Sequence, residues 1–206
     1  TGTKIISMQM VWRAAAGIVL VATFGFLLNW FTNQPQIKTI ASANGKMKVV
    51  LPDNSVVWLN KNSEISFAEK FTGNKREVKL KGEAFFEVVH DDAHAFIIMA
   101  NNTVTEDIGT SFNVRALNSE RKVEVTVATG KVSFAEAGDK SKVFLEPGDK
   151  GVWNGTTHQL SSLKNTDLNF LAWQTNKLVF DKNNLRDVAA TLGNYYNTKF
   201  DVTEQT

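Results

Sequence analysis

Residues Glu77–Val89 read EVKLKGEAFFEVV, and the period of this stretch decides the fold class. Val78, Leu80, Ala84, Phe86 and Val88 fall on one face of an extended chain. Glu77, Lys79, Lys81, Glu83, Phe85 and Glu87 fall on the other. Alternation at every second residue is the mark of a half-buried strand, because successive side chains of a strand point to opposite faces. Gly82 interrupts the run and predicts a bulge or bend. The polar face, with Glu83 and Glu87 beside Lys79 and Lys81, reads as a salt-bridged solvent face.

The same period continues on both sides. Met47, Val49 and Leu51 alternate with Lys48 and Val50, and Pro52-Asp53-Asn54-Ser55 supplies turn chemistry before Val56–Leu59. Downstream, Phe96–Met99, Phe112-Asn113-Val114, Val123–Val127, Val132–Phe134, Val143–Leu145 and Val152-Trp153 are further strands separated by turn residues. Residues 46–163 therefore form an all-β unit. Periodicity alone leaves a sandwich, a barrel and a solenoid open.

Upstream the character is different. Residues 14–31, AAAGIVLVATFGFLLNWF, carry no charge. As a helix they extend roughly 27 Å, close to the thickness of a bilayer core of about 30 Å. Trp12 and Trp30 suit the two interfaces. A core helix of a soluble protein would show polar residues at helical spacing. A cleavable signal could end at Ala41-Ser42-Ala43, but that site lies well beyond the apolar run. A transmembrane helix over 14–31 is the expectation, with Lys4 and Arg13 holding the N-terminal side inside. Residues 1–13 are then a cytoplasmic remnant, since the chain opens on Thr1 rather than Met. Residues 32–45, polar and with Pro35 and Gly45, read as a linker.

Beyond the β unit, residues 164–176 read as a connector with a short helical piece at Leu168–Trp173. Lys177–Phe180 (KLVF) predicts a strand. Leu185, Val188, Ala189, Leu192 and Tyr196 recur at helical spacing, with Asn183 or Asn184 placed to cap. Lys199–Val202 predicts a second strand. Residues 177–206 thus read as one β-α-β unit, which can hardly bury a core alone and either packs on the β unit or is the first half of a larger domain.

Composition narrows the function classes. The net charge of +2 is small and dispersed, which argues against nucleic-acid binding. There is no cysteine, which removes disulfides, thiolate metal sites and thiol catalysis. No Walker loop, H-E-x-x-H or G-x-S-x-G motif occurs. Gly109-Thr110-Ser111-Phe112 lacks a second glycine and an assignable histidine, so Gly109 reads as a tight turn before a strand. His90-Asp91-Asp92-Ala93-His94 gathers potential metal ligands, but in a loop between strands it reads as a solvated acidic turn. No catalytic, cofactor or metal residue is assigned.

Five motifs in order carry a family resemblance: Leu51–Asn60 (LPDNSVVWLN), Gly82–Val88 (GEAFFEV), Gly109–Ala116 (GTSFNVRA), Val123-Glu124-Val125 through Gly130-Lys131-Val132, and Leu145-Glu146-Pro147-Gly148. Together with the apolar helix before them and the tail after them, they resemble a FecR-type sigma-factor regulator. Asn54 stands where the family usually has glycine, and Ala95 where it often has proline. The resemblance implies a mainly β protein with one transmembrane helix and a twisted, solenoid-like periplasmic domain. It implies an inner-membrane anti-sigma factor that relays a signal from the signalling domain of an outer-membrane TonB-dependent transporter. The receiving partner is an extracytoplasmic-function sigma factor, bound through a cytoplasmic region ahead of the helix. Regulated cleavage by periplasmic and intramembrane proteases is implied too, with Gly17, Gly25 and Asn29 as weak points of the helix.

The tail carries the expected docking surface at Lys177, Leu178, Val179 and Phe180. Leu178 and Phe180 would face a core with Leu185, Val188 and Leu192, leaving a strand edge to pair with the transporter. The rival readings are a membrane-anchored periplasmic carbohydrate- or peptidoglycan-binding β domain, and an anchored periplasmic enzyme. The first needs exposed aromatic residues, and Trp58 and Trp153 read equally well as core.

Overall fold

The computed structural model describes residues 8–32, 35–117, 119–196, 198–200 and 202; within the first of these, the side chains of Met10, Val11, Ala14 and residues 29–32 are left aside. The chain divides into two compact units, Thr1–Gln36 and Ile37–Thr206.

The first unit is helix α1, Met8–Thr32. Each of its described side chains is exposed, from Trp12 through Ile18, Leu20, Phe24 and Leu28. The Thr23 hydroxyl donates to the Val19 and Leu20 carbonyls at 2.8 and 3.0 Å, so its polarity is satisfied within the helix. Among the described residues no helix is long and apolar enough to cross a membrane. Side chains are described without a break only over residues 15–28, a length of about 21 Å. The expected span over 14–31 reaches beyond them, and Lys4 and the Trp30 side chain lie outside the described residues.

The second unit is mainly β. Its strands are β1 (Ile37–Ser42), β2 (Met47–Val50), β3 (Val56–Leu59), β4 (Ser63–Ala68), β5 (Lys75–Glu87), β6 (Ala95–Ala100) and β7 (Thr103–Asp107). Then follow β8 (Ser111–Ala116), β9 (Lys122–Thr129), β10 (Val132–Glu136), β11 (Lys142–Leu145), β12 (Asp149–Asn154) and β13 (Gln159–Lys164). Among the described residues two helices follow, α2 (Ala172–Thr175) and α3 (Leu185–Tyr196). The thirteen strands of the described residues belong to one sheet, whose main path runs β11-β10-β7-β6-β5-β8-β9-β12-β13.

Strand β5 organises this sheet. Laid straight, its thirteen residues would span about 43 Å. Instead the Arg76 guanidinium near its start donates to the carbonyl of Val89, just beyond its end, at 2.8 Å. The strand therefore folds back, and it does so at Gly82. The φ of Gly82 is +95°, and a Cβ there would lie 2.8 Å from the Cα of Ser63. The pairing changes hands at the same point. The first part of β5 pairs with β4 and β6, and the part from Gly82 onward pairs with β8 and β3. The bent sheet nearly closes into a barrel, because β11 at one end of the path meets β12 and β13 at the other.

The bend brings the apolar faces together. Phe86 stacks on Phe112 with ring centroids 5.5 Å apart and meets Phe96 edge-on at 6.2 Å. Phe86, Phe96, Phe112 and Phe134 are all fully buried. Arg76 is buried with them. It also bonds Asp53 Oδ2 at 2.8 Å and the His94 carbonyl, tying the turn at residues 52–55 to the loop between β5 and β6. Asn54 takes φ +67° in that turn, a left-handed conformation that asparagine tolerates better than most residues.

Three expectations are corrected. Residues 32–45 are not all linker. Ile37–Ser42 is a strand paired antiparallel with β4 from Ile37↔Ala68 to Ser42↔Ser63. As an edge strand with mostly exposed side chains it carries no alternation to read. The unit is a nearly closed, barrel-like sheet and not a solenoid. A solenoid stacks equivalent repeats on their neighbours, whereas the described ladders here are antiparallel except for β5 with β6. Finally, α3 forms as expected, but neither Lys177–Phe180 nor the described residues of Lys199–Val202 enter a ladder. Leu185 is 71% and Phe180 38% exposed, and Leu178, Val188 and Leu192 are only half-buried, so the small core expected among these five residues is not formed.

Candidate functional site

The outward face of the β3-β5-β8-β9-β12 part of the sheet carries an ordered polar and aromatic platform. Register places Trp58, Phe85, Asn113, Thr126 and Lys150 side by side on successive strands. One step along, Glu83, Arg115 and Glu124 are directly opposed, alternating in sign across β5, β8 and β9. Cross-strand neighbours of this kind sit close enough for their side chains to interact.

Glu83 is the centre of the second row. Only 6% exposed, it accepts from Asn60 Nδ2 at 2.8 Å and from Asn113 Nδ2 at 2.9 Å, with Arg115 Nη1 at 3.5 Å. Arg115 also donates to Glu120 at 2.5 Å. Burial works against the arginine's charge, but the Glu120 hydrogen bond and the charges of Glu83, Glu120 and Glu124 outweigh it and raise its pKa. Of the four residues expected to form a salt-bridged solvent face, Lys81 does pair at the surface, but with Glu64 of β4 at 2.9 Å rather than with Glu83 or Glu87. The expectation does not hold for Glu83, whose carboxylate is buried against Asn60 and Asn113 on the face over which the chain after the sheet runs.

That covering chain forms a cleft of about 740 Å³. Asn60, Glu83, Asn113 and Thr126 line its sheet side, and Phe170, Trp173, Leu178 and Tyr195 its other side. Two buried polar atoms of lining residues have no hydrogen-bond partner, Asn113 Oδ1 and Trp173 Nε1. Asn113 is 5% exposed. Its amide is oriented by giving its NH2 to the carboxylate, which leaves its oxygen free.

Of the four residues expected to dock a partner, Leu178 is half-buried in this cleft, while Lys177, Val179 and Phe180 are exposed. Val179 is not a free strand edge. Its N–H donates to Asn169 Oδ1 at 2.7 Å, and its carbonyl accepts from Asn169 Nδ2 at 2.9 Å. One side-chain amide thereby occupies both groups that a neighbouring strand would use.

The other candidates are dispersed. His90 pairs with Asp92 at 3.2 Å and His94 with Asp91 at 2.8 Å, as two separate exposed pairs. No group of three or more metal-ligating side chains converges among the described residues. Gly109 serves the turn before β8, with φ +154° and a position where a Cβ would lie 2.5 Å from His90 Cα. Trp153 is buried and Trp58 half-buried with Lys48 5.3 Å from its ring, so neither offers an open aromatic platform. The cleft itself was missed in the sequence. Glu83, Asn113 and Arg115 stood inside two of the quoted motifs, but only register brings them together.

Comparison with known proteins agrees with this architecture. No curated protein matches the sequence. Two crystal structures of a candidate anti-sigma factor from Parabacteroides distasonis ATCC 8503 are similar, each with a TM-score of 0.65. One is 29% identical over 79% of this chain and 76% of that chain, and the other 30% identical over 78% and 75%. The FecR protein family model matches residues 37–133, beginning at the first residue of β1 and ending within β10. On the quoted motifs, this match and these neighbours, the chain belongs to the FecR family.

Proposed function

We propose that this protein is a single-pass inner-membrane regulator with its N-terminus cytoplasmic and its β unit periplasmic. It takes a signal from the signalling domain of an outer-membrane TonB-dependent transporter and passes it to an extracytoplasmic-function sigma factor, controlling transcription of uptake genes. The observation that carries this reading is family membership, joined by the likeness to the Parabacteroides distasonis candidate anti-sigma factor. The uncharged run at residues 14–31 and the exposed apolar side chains of α1 support the anchor. A helix apolar on all sides needs an apolar environment. Cleavage in or near that helix by intramembrane and periplasmic proteases would release the cytoplasmic side.

The docking surface is the tail from Lys177 onward. Val179 is 51%, Phe180 38% and Leu185 of α3 71% exposed, apolar side chains that a partner domain could cover. Because Asn169 holds the Val179 backbone, docking proceeds through these side chains unless that clamp opens. The test is binding of the full chain, in lipid nanodiscs, to a purified transporter signalling domain. Ending the chain after Asn176 should abolish binding. Unchanged affinity would move the docking surface to the β unit, and loss of activity from a periplasmic reporter fused after Thr206 would overturn the orientation.

A further inference from the structure

We propose that the cleft between the β-sheet face and the chain from Asp167 to Tyr195 is a binding site for a neutral saccharide. Its volume of about 740 Å³ falls within the range of small-molecule sites, about 300–1,000 Å³. Two unsatisfied atoms set the chemistry. Asn113 Oδ1 is a buried acceptor without a donor, and Trp173 Nε1 is a buried donor without an acceptor. Leaving such groups unpaired is costly, and sugar hydroxyls can serve both, since each donates and accepts.

The charges of the lining favour a neutral ligand. Glu83, Glu124 and Asp167 are balanced by Lys61, Arg115 and Lys150. Glu83 and Arg115 are engaged with each other and with neighbours, and Glu124 pairs with Lys122, so the charge the cleft presents has no strong excess of either sign. Phe170, Trp173 and Tyr195 supply ring faces and edges for the apolar side of a pyranose.

A peptide fits less well. Main-chain recognition by strand addition needs an open sheet edge. The floor of this cleft is a sheet face, and β5, β8, β9 and β12 are each paired on both sides. The site would give the regulator an input of its own, independent of the transporter relay, so failure of either proposal leaves the other standing.

The test is titration of the full chain, in nanodiscs, with maltotriose, cellotriose, xylotriose and triacetylchitotriose, followed by saturation-transfer NMR. Tetra-alanine serves as the peptide probe. At least one trisaccharide should bind with a Kd below about 1 mM. Trp173→Phe, which keeps an aromatic ring but removes the indole N–H, should weaken binding at least fivefold, as should Asn113→Ser. Thr191→Trp, on the exposed side of the cleft, should block it while leaving the circular dichroism unchanged. The proposal is overturned if no trisaccharide binds at 10 mM, if tetra-alanine binds instead, or if binding survives Thr191→Trp and Trp173→Phe unaltered.

Discussion

Replacing Glu83 by alanine separates the buried-acceptor role of this carboxylate from the solvent-facing ion pair that its position in the sequence suggests. The substitution acts on the side chain alone. The backbone of Glu83 is held independently, its N–H by Ser63 Oγ at 2.9 Å and its carbonyl by the Asn60 N–H at 2.9 Å. Three donors lose a partner. The Asn113 amide is buried, and an orphaned buried donor costs about 1–3 kcal/mol. Asn60 is half-buried and open to water, which reduces its share to about 1 kcal/mol. Arg115 retains Glu120 and contributes little. The sum is about 3 kcal/mol, which in a unit of this size lowers Tm by about 6–12 °C. Urea unfolding followed by circular dichroism measures it. In a double-mutant cycle Asn113→Ala removes the orphaned amide, so the two substitutions together should cost about 1–2 kcal/mol less than their sum. A loss within about 0.5 kcal/mol, with additive effects, is the outcome of an exposed ion pair and would refute the reasoning.

Other consequences are equally open to measurement. Gly109→Ala places a Cβ against the His90 backbone at a left-handed φ, so it should destabilise by more than about 1 kcal/mol, and an unchanged unfolding midpoint would contradict the close approach. Asn169→Ala should speed hydrogen exchange at the Val179 amide while shifting the global Tm little; equal exchange would remove the clamp from the account. Stability should fall on acidification. Glu136 is held below the ordinary carboxylate pKa by the His158 hydrogen bond, and Asp149 by that of Lys164. A depressed folded pKa stabilises above the unfolded value and loses that contribution as pH falls through the folded one. Asp107, pushed up chiefly by burial, has the opposite sense, and its contribution is lost as pH rises through its folded value. Tm measured from pH 7 to pH 3 should therefore drop through the carboxylate range, and Lys164→Gln should flatten part of that drop.

What could be read in the sequence follows the range of the interactions involved. The alternation of β5 up to Lys81, the glycine at its bend, the left-handed Asn54 and the α3 periodicity are local, and each stands in the structure where its residues placed it, whereas from Glu83 to Phe86 both faces of β5 are buried. Strand β1 was illegible because an exposed edge strand has no buried face to alternate. The KLVF segment has strand propensity, yet an amide ten residues earlier takes the hydrogen bonds of Val179, and a strand exists only with a partner. The barrel-like closure was hidden because it depends on β5 doubling back so that Arg76 reaches Val89. The cleft was hidden for the same reason. Glu83, Asn113 and Thr126 become neighbours only through the register of three strands, and the chain covering them lies some forty residues beyond the last of these.

The most direct test of the regulatory account is transcription. Deleting the gene and restoring it should shift one set of genes sharing a single promoter class. That shift should vanish in a strain lacking one extracytoplasmic-function sigma factor. Transcription unchanged by the deletion, or changed equally when each such sigma factor is absent, would contradict the claim that this protein governs one.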